Sequence, residues 1–222
     1  MREFETNMTV GSSVQPMAKP LKAISRLMSL FRTESVPLVF ENEDCIVRLH
    51  NPSGELHVLL VVEGLVDAYR TSDELLFATA AAPAIFGMQG SAYRYDMYTF
   101  QSNPDSKLET LPLTRAIELV AQHGLLEDLL AYQIYFNDYQ AYRNNLLINK
   151  SAYEIVCALL FELEKIPADK RAHISVLNFI LARSHLARSG IMKILANLRQ
   201  GLYINIENGK LISIIRKFPK EY

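Results

Sequence analysis

The chain has 222 residues, half of them apolar, and 23 Lys and Arg against 24 Asp and Glu, for a net charge of −1. That length allows one large domain or two small ones, and that apolar content excludes a disordered chain. The charge is unevenly spread: residues 168–222 hold 10 basic side chains against 3 acidic ones, whereas residues 1–167 hold 13 against 21. A basic C-terminal part attracted to a polyanion, and an acidic part that stands off it, are implied.

Two cysteines, Cys45 and Cys157, supply neither a disulfide framework nor a paired metal-ligand spacing, which points to a reducing compartment. The start lacks a continuous apolar segment of the secretory kind. The longest apolar run, Leu75 to Met88, contains Pro83 and falls short of the roughly 20 residues that a spanning helix needs. A cytoplasmic protein without a membrane partner is expected.

In chain order, residues 1–19 are polar with Gly11-Ser12-Ser13 and are expected to form a flexible tail. In LKAISRLMSLF, Leu21, Ile24, Leu27, Met28 and Phe31 recur at helical spacing. A basic amphipathic helix can lie on a membrane, but at this length packing on the adjacent domain is favoured. LVF, CIVRLH, ELHVLLVVEG, LVDAYR, ELLFATA and SAYRYDMYTF, between residues 38 and 100, are rich in β-branched and aromatic residues and are separated by turn formers. They predict a small antiparallel barrel or sandwich. TRAIELVAQHG follows as a short helix with Thr114 as its cap and Gly124 as its stop. Residues 20–124 thus read as a barrel with flanking helices.

Residues 125–148 predict a long helix. Leu125, Leu129, Tyr132, Phe136, Tyr139, Arg143 and Leu146 alternate spacings of four and three, the pattern of a heptad seam. Such a stripe can pack on the chain's own barrel or on a second copy. Ile134, Tyr135 and Tyr142 add further nonpolar faces, so a helix with both an internal and a partner contact is expected. Three seam aromatics in each of two chains, at about 150 Å² apiece, give roughly 900 Å², close to the lower end of a stable interface at about 1,200 Å². A homodimer built on this seam is the expectation. Asn149 or Ser151 is placed to cap a further amphipathic helix over SAYEIVCALLFELEK, and Ile166-Pro167-Ala168-Asp169 breaks it.

Residues 149–222 end in the most explicit pattern of the chain. VLNFILA (176–182) and LARSGIMKILANL (186–198) are helical, separated by Arg183-Ser184-His185. In the second, Leu186, Ile191, Ile194, Leu195 and Leu198 share one side and Arg188, Ser189, Lys193 and Asn197 fall largely on the other. LYINIENGKLISII alternates about Asn208-Gly209, the signature of a type I′ hairpin. Helix-turn-helix followed by hairpin predicts a winged helix.

This layout of barrel, long helix and winged helix resembles the cyclic-AMP receptor protein and FNR superfamily of transcription factors over residues 20–218. More narrowly, ARSGIMKIL from Ala187 to Leu195, with the following GLYI and ENGKL, resembles the winged helix of the family of inhibitors of hydrogen peroxide resistance. The resemblance implies an α+β chain: an N-terminal cyclic-nucleotide-binding-like jelly-roll β-barrel, a long dimerisation helix and a C-terminal winged helix-turn-helix. It implies a homodimeric regulator that binds double-stranded DNA, with Arg188, Ser189 and Lys193 facing base edges. Arg183, Ser184, Lys210, Arg216 and Lys217 would position the phosphate backbone, and His185 in the turn would either touch a phosphate or cap a helix. Four or five cations per subunit would give the dimer a log K against log salt slope of roughly −7 to −9.

Two departures bear on what the barrel does. Cyclic-nucleotide binders of this kind use a glutamate for the ribose and an arginine for the phosphate. Here Phe86-Gly87-Met88-Gln89 places methionine where the acid would stand, and Ser91-Ala92-Tyr93-Arg94 lies in a shortened segment. A thioether is a weak acceptor, so a degenerate barrel without cyclic-nucleotide binding is expected, its effector open. Two cysteines also fall short of a four-cysteine iron–sulfur site.

His50, His57, Glu55 and Glu63 lack the close His-x-His spacing of a metal-binding barrel and read as surface or loop residues. Neither a catalytic constellation nor a cofactor motif is found, so a non-enzyme is expected. The alternative is a winged-helix protein-interaction module with a scaffold barrel.

Overall fold

In the computed structural model, which describes residues 18–40, 45–88 and 96–219, the chain divides into one unit spanning Pro16–Gln140 and a second that includes Ala141–Tyr222. Most of the expected tail, the segment around Glu43 and Asp44, and the Ser91–Arg94 stretch lie outside the described residues. Helix α1, Leu21–Phe31, forms as its pattern predicts: Ile24, Leu27, Met28 and Phe31 are buried, while Lys22, Ser25, Arg26 and Ser29 face out.

The strands that follow are β1 (Val36–Pro37), β2 (Ile46–Val47), β3 (His57–Glu63), β4 (Leu65–Arg70), β5 (Leu76–Ala81), β6 (Ala84–Phe86), β7 (Tyr98–Ser102) and β8 (Lys107–Pro112). They make two four-stranded sheets, in the orders β1-β8-β3-β6 and β2-β7-β4-β5, with antiparallel pairing throughout. This is the two-sheet jelly-roll arrangement.

Strand β3 explains the unbroken apolar stretch from Val58 to Val62. Its Leu59 and Val61 enter the core between the sheets with Val47, Val66, Phe100 and Leu108. Its Val58 and Leu60 point the other way, into a second core with Ile24, Leu27, Phe31, Leu119 and Val120. A strand with both faces covered has no solvent side to alternate toward, and each such side chain contributes about 1.5–3 kcal/mol on burial. Helix α2, Leu113–Gln122, closes that second core. It starts directly after Pro112 with no side-chain cap, so Thr114 sits inside the helix rather than at its cap. Pro112 ends the β8 ladder and its fixed φ opens the helix in one residue.

Helix α3 runs from Leu126 to Leu147. Its heptad stripe faces inward. Tyr132 and Phe136 are 2% and 8% exposed, and the Tyr132 hydroxyl donates to the Ile85 carbonyl at 2.8 Å. Phe136 and Tyr139 join Phe77 and Tyr98 in an aromatic cluster, with the Phe77 and Tyr139 rings edge-on at 5.4 Å and the Tyr98 and Phe136 rings edge-on at 6.4 Å. Asp128 is buried at the side of this helix, 2.6 Å from Arg26. The expected dimer seam is corrected here: Tyr132, Phe136 and Arg143 are buried within their own chain, and Leu125, Leu129, Tyr139 and Leu146 are half-buried. Strand aromatics and backbone carbonyls supply the partners that a second copy was expected to give. The exposed apolar side chains on the helix are Leu126, Leu130 and Ile134.

The second unit is helical with a hairpin: α4 (Ala152–Glu164), α5 (Ala168–Arg171), α6 (Val176–Arg183), α7 (Arg188–Gln200), β9 (Ile204–Glu207) and β10 (Lys210–Ile214). Of the two expected caps, Ser151 serves. Its hydroxyl accepts from the Glu154 N–H at 3.2 Å while the Glu154 carboxylate accepts from the Ser151 N–H at 2.8 Å, a capping box. The core gathers Val156, Leu159, Leu160 and Leu163 from α4, Phe179 and Ile180 from α6, Ile191, Leu195 and Leu198 from α7, and Ile204 and Leu211 from the hairpin. Asn208 and Gly209 take φ of 50° and 76°, the left-handed pair that a type I′ turn requires.

Candidate nucleic-acid interface

The interface is built on α6, the turn after it, and α7. Ser175 caps α6, its hydroxyl accepting from the Asn178 N–H at 3.4 Å, and the helix ends at Arg183 where Ser184 becomes extended. Ser184 is a correction to the sequence reading: it is 4% exposed, and its hydroxyl donates to the Ile180 carbonyl at 2.7 Å. It closes the turn from inside and offers nothing to a phosphate. His185 is exposed beyond it.

Helix α7 then presents two unlike sides. Ile191, Leu195 and Leu198 are fixed in the core, which sets the rotation of the helix and turns Arg188, Ser189, Lys193, Ala196 and Gln200 outward. Ser189 and Lys193 therefore share the outer face, while Arg188, the first residue of the helix, is exposed about 140° round the axis from Lys193. Two others on the helix were not singled out from the sequence: Met192, 51% exposed, and Gly190. Their signal was present, since both lie among the polar residues of an amphipathic helix, but an apolar side chain and a glycine do not announce a contact.

Arg183, Lys210 and Arg216 are held by their own chain. The Arg183 guanidinium lies 3.8 Å from the Phe179 ring centre and donates to the Phe179 carbonyl. Lys210 Nζ donates to the His173 carbonyl at 2.9 Å, which places it beside the start of α6. Arg216 lies over the Tyr203 ring at 4.2 Å and donates to the Gly201 carbonyl. Arg216 and its neighbour Lys217 are thus at the C-terminal end of α7, about 20 Å from Arg188 by helix rise.

The hairpin is tied down as firmly. Val176 N–H donates to the Gly209 carbonyl at 2.9 Å, and Ile214 N–H donates to Glu164 Oε1 at 2.8 Å. Arg171, unnoticed in the sequence, donates to the carbonyls of Leu211 and Ile212 on one side and of Glu164 and Ile166 on the other. Arg143, from the end of α3, pairs with Glu162 at 3.2 Å and donates to the Arg183 carbonyl at 3.4 Å.

Elsewhere the chemistry is structural. His50 Nδ1 lies 2.7 Å from Asp96, and His57 is 4.0 Å from Glu55. Among the described residues no group of three or more His, Cys, Asp or Glu is placed to hold a metal ion, and no helix is long and apolar enough to cross a membrane. Burial pushes the Cys157 thiol up to about 12, the nearby Glu154 carboxylate adding to the effect. Met88 is buried in the core beneath α1 and α2.

A two-sheet barrel followed by a winged helix-turn-helix head is what these elements define, and comparison with known proteins agrees. Residues 152–220 match the family model of winged helix-turn-helix DNA-binding domains. The fold is also that of the c-di-GMP-responsive global regulator CLP of Xanthomonas campestris, at a TM-score of 0.63 and 14% identity over 84% of this chain and 97% of that one. A transcriptional regulator of the CRP/FNR family from Eubacterium rectale superposes at 0.56 with 16% identity, over 89% of this chain and 94% of that one.

By sequence the chain is 28% identical over 207 residues to the proteins named inhibitor of hydrogen peroxide resistance in Salmonella typhimurium and in Escherichia coli K12, covering 93% of this chain and 99% of each relative. It carries the fold of CRP/FNR-family regulators and resembles the peroxide-resistance inhibitors across nearly its whole length.

Proposed function

We propose that the protein is a sequence-specific, DNA-binding transcriptional regulator that works as a cytoplasmic homodimer in a peroxide response and takes no cyclic nucleotide. The observation that carries the DNA reading is α7, where Ser189 and Lys193 project from the outer face, Arg188 is exposed at the first residue, and the other side is locked into the core. Arg188 has the paired N–H donors that fit guanine O6 and N7, Lys193 reaches a base or a phosphate, and Ser189 makes a short adaptable contact. Arg183, His185 and Lys210, around α6, hold the phosphate backbone, with Arg216 and Lys217 contributing less from the far end of α7.

Two such heads enter successive major grooves about 34 Å apart on a pseudo-palindromic site. The second copy is met through the exposed Leu126, Leu130 and Ile134 rather than through the inward stripe. Support for a barrel without a cyclic nucleotide comes from Met88, an apolar anchor where the binders carry an acid, and from the Phe77, Tyr98, Phe136 and Tyr139 cluster that packs the strands against α3. The peroxide response is supported by the similarity to the two inhibitors of hydrogen peroxide resistance.

Titrating the full chain against sheared genomic DNA at low salt tests the proposal. A retarded complex that sharpens onto a subset of fragments as salt rises is expected. A protein that leaves all fragments unshifted at micromolar concentration is an interaction module instead. For the peroxide response, deletion of the gene should change survival of a peroxide challenge, and restored wild-type protein should reverse the change.

A further inference from the structure

Two residues of α7 are unexplained by the protein's own fold. Gly190 lies in the first turn of a regular helix, where glycine is costly because it has more conformational freedom to lose than any other residue. Its backbone is right-handed helical, so the turn does not demand it. A Cβ built there meets no heavy atom within 4 Å, so packing does not demand it either. Met192 is the second. The residue is 51% exposed beside Lys193 and is not among the core residues that α7 supplies, Ile191, Leu195 and Leu198. At roughly 100° per residue, Ser189 and Lys193 mark the middle of the outer face, and Gly190 and Met192 flank it on opposite sides.

We propose that Gly190 and Met192 are specificity-determining residues for duplex DNA: the missing Cβ at 190 lets the first turn of α7 seat against one wall of the major groove, and Met192 packs on a thymine 5-methyl at the other. The inference rests on the DNA-binding reading above. The occupant is fixed by its surroundings, since Lys193 on the outer face and Arg188, exposed at the first residue of the helix, give it positive charge and the domain matches a DNA-binding family model. A thymine methyl is the one apolar group that a base pair presents in the major groove, and a thioether suits it in size and polarisability. A methyl at position 190 would hold the helix off the groove and loosen every base contact together, while leaving the backbone cations able to bind any sequence.

The test uses the full chain. A preferred duplex is selected from a random pool, and affinities are measured for it, for versions with each thymine replaced singly by deoxyuridine, and for a random duplex. Deoxyuridine removes the methyl and nothing else. Wild-type protein is expected to lose roughly fourfold at one such position, and Met192→Ala to bind the thymine and deoxyuridine forms of that position alike. Gly190→Ala is expected to raise Tm by about 3–6 °C, because alanine is the better helix former, yet to weaken binding to the selected duplex about tenfold with the random duplex unchanged.

Gly190→Ala with wild-type affinity for its site, or wild-type protein indifferent to every deoxyuridine, overturns the inference and leaves the DNA-binding reading standing. Wild-type protein that selects no duplex overturns both.

Discussion

Ser184 and Arg188 lie four positions apart in the sequence, yet the first is buried and the second exposed. The serine hydroxyl is used up on the Ile180 carbonyl inside the turn, whereas the arginine faces outward on α7. Arg188→Ala should therefore cost about 1–3 kcal/mol on the preferred duplex and much less on random DNA, read as paired anisotropy titrations. Equal losses on both would assign Arg188 to the phosphate backbone.

Cys157 calls for a second measurement at this scale. With its thiol pushed up to about 12 it is protonated at any physiological pH, and it is 2% exposed. A thiol reagent at pH 8 should leave Cys157 unmodified in the native protein and label it in urea, as peptide mass spectrometry would show. A folded pKa above the unfolded one means that the folded state holds its proton more tightly. The stabilisation is complete below the unfolded value near 9 and is drawn down as pH rises from there toward 12. If the proposed peroxide response holds, Cys157→Ala should leave it in place.

Among the elements, α3 shows how far the pattern could be read. The seven-residue period was real, and it picked out the buried stripe, but a period does not say whether the partner is a sheet of the same chain or a second copy. Tyr132 and Tyr139 decide it with hydroxyls that reach the Ile85 and Phe77 carbonyls, which is information about distant strands. Leu126, Leu130 and Ile134 on the exposed side are the surface proposed for a second copy. Leu130→Asp with Ile134→Asp should lower the mass measured by sedimentation to that of one chain. Tyr132→Phe should cost about 1 kcal/mol of stability with the mass unchanged.

The strands were legible where apolar residues cluster, as in β3 and β4. Strand β8, Lys107-Leu-Glu-Thr-Leu-Pro, was missed because its outward positions are polar and only two of its side chains, Leu108 and Leu111, are buried, although it pairs with both β1 and β3. The winged head was read almost whole, because Asn208-Gly209 and the α7 periodicity are local signals that need no distant partner. The inward Ser184 and the hub made by Arg171 could not be read, since each is defined by carbonyls that only the fold brings near.

For the molecule as a whole, charge is the quantity that links fold and function. If Arg183, Arg188, Lys193 and Lys210 engage phosphates or bases in each of two subunits, log K against log salt should fall with a slope of about −7. Neutralising Lys210 in both subunits should flatten that slope by about 2, because Lys210 stands beside the start of α6. Arg216→Ala should leave it nearly unchanged, because that guanidinium is stacked on Tyr203 at the far end of α7. A slope that ignores Lys210 and follows Arg216 would reverse the placement of the head on DNA.

The bond from Val176 N–H to the Gly209 carbonyl makes the hairpin tip the acceptor for an amide at the start of another element. Helix α6 has Ser175 for one of its first N–H groups and the hairpin for another, so neither piece can fray without exposing the other. In hydrogen–deuterium exchange, the Val176 amide should be protected for as long as the hairpin stays docked. If DNA draws the hairpin away from the body, a single amide 33 residues upstream of the Gly209 carbonyl will begin to exchange. That amide is a built-in reporter for a movement whose cause lies on the other side of the head's core.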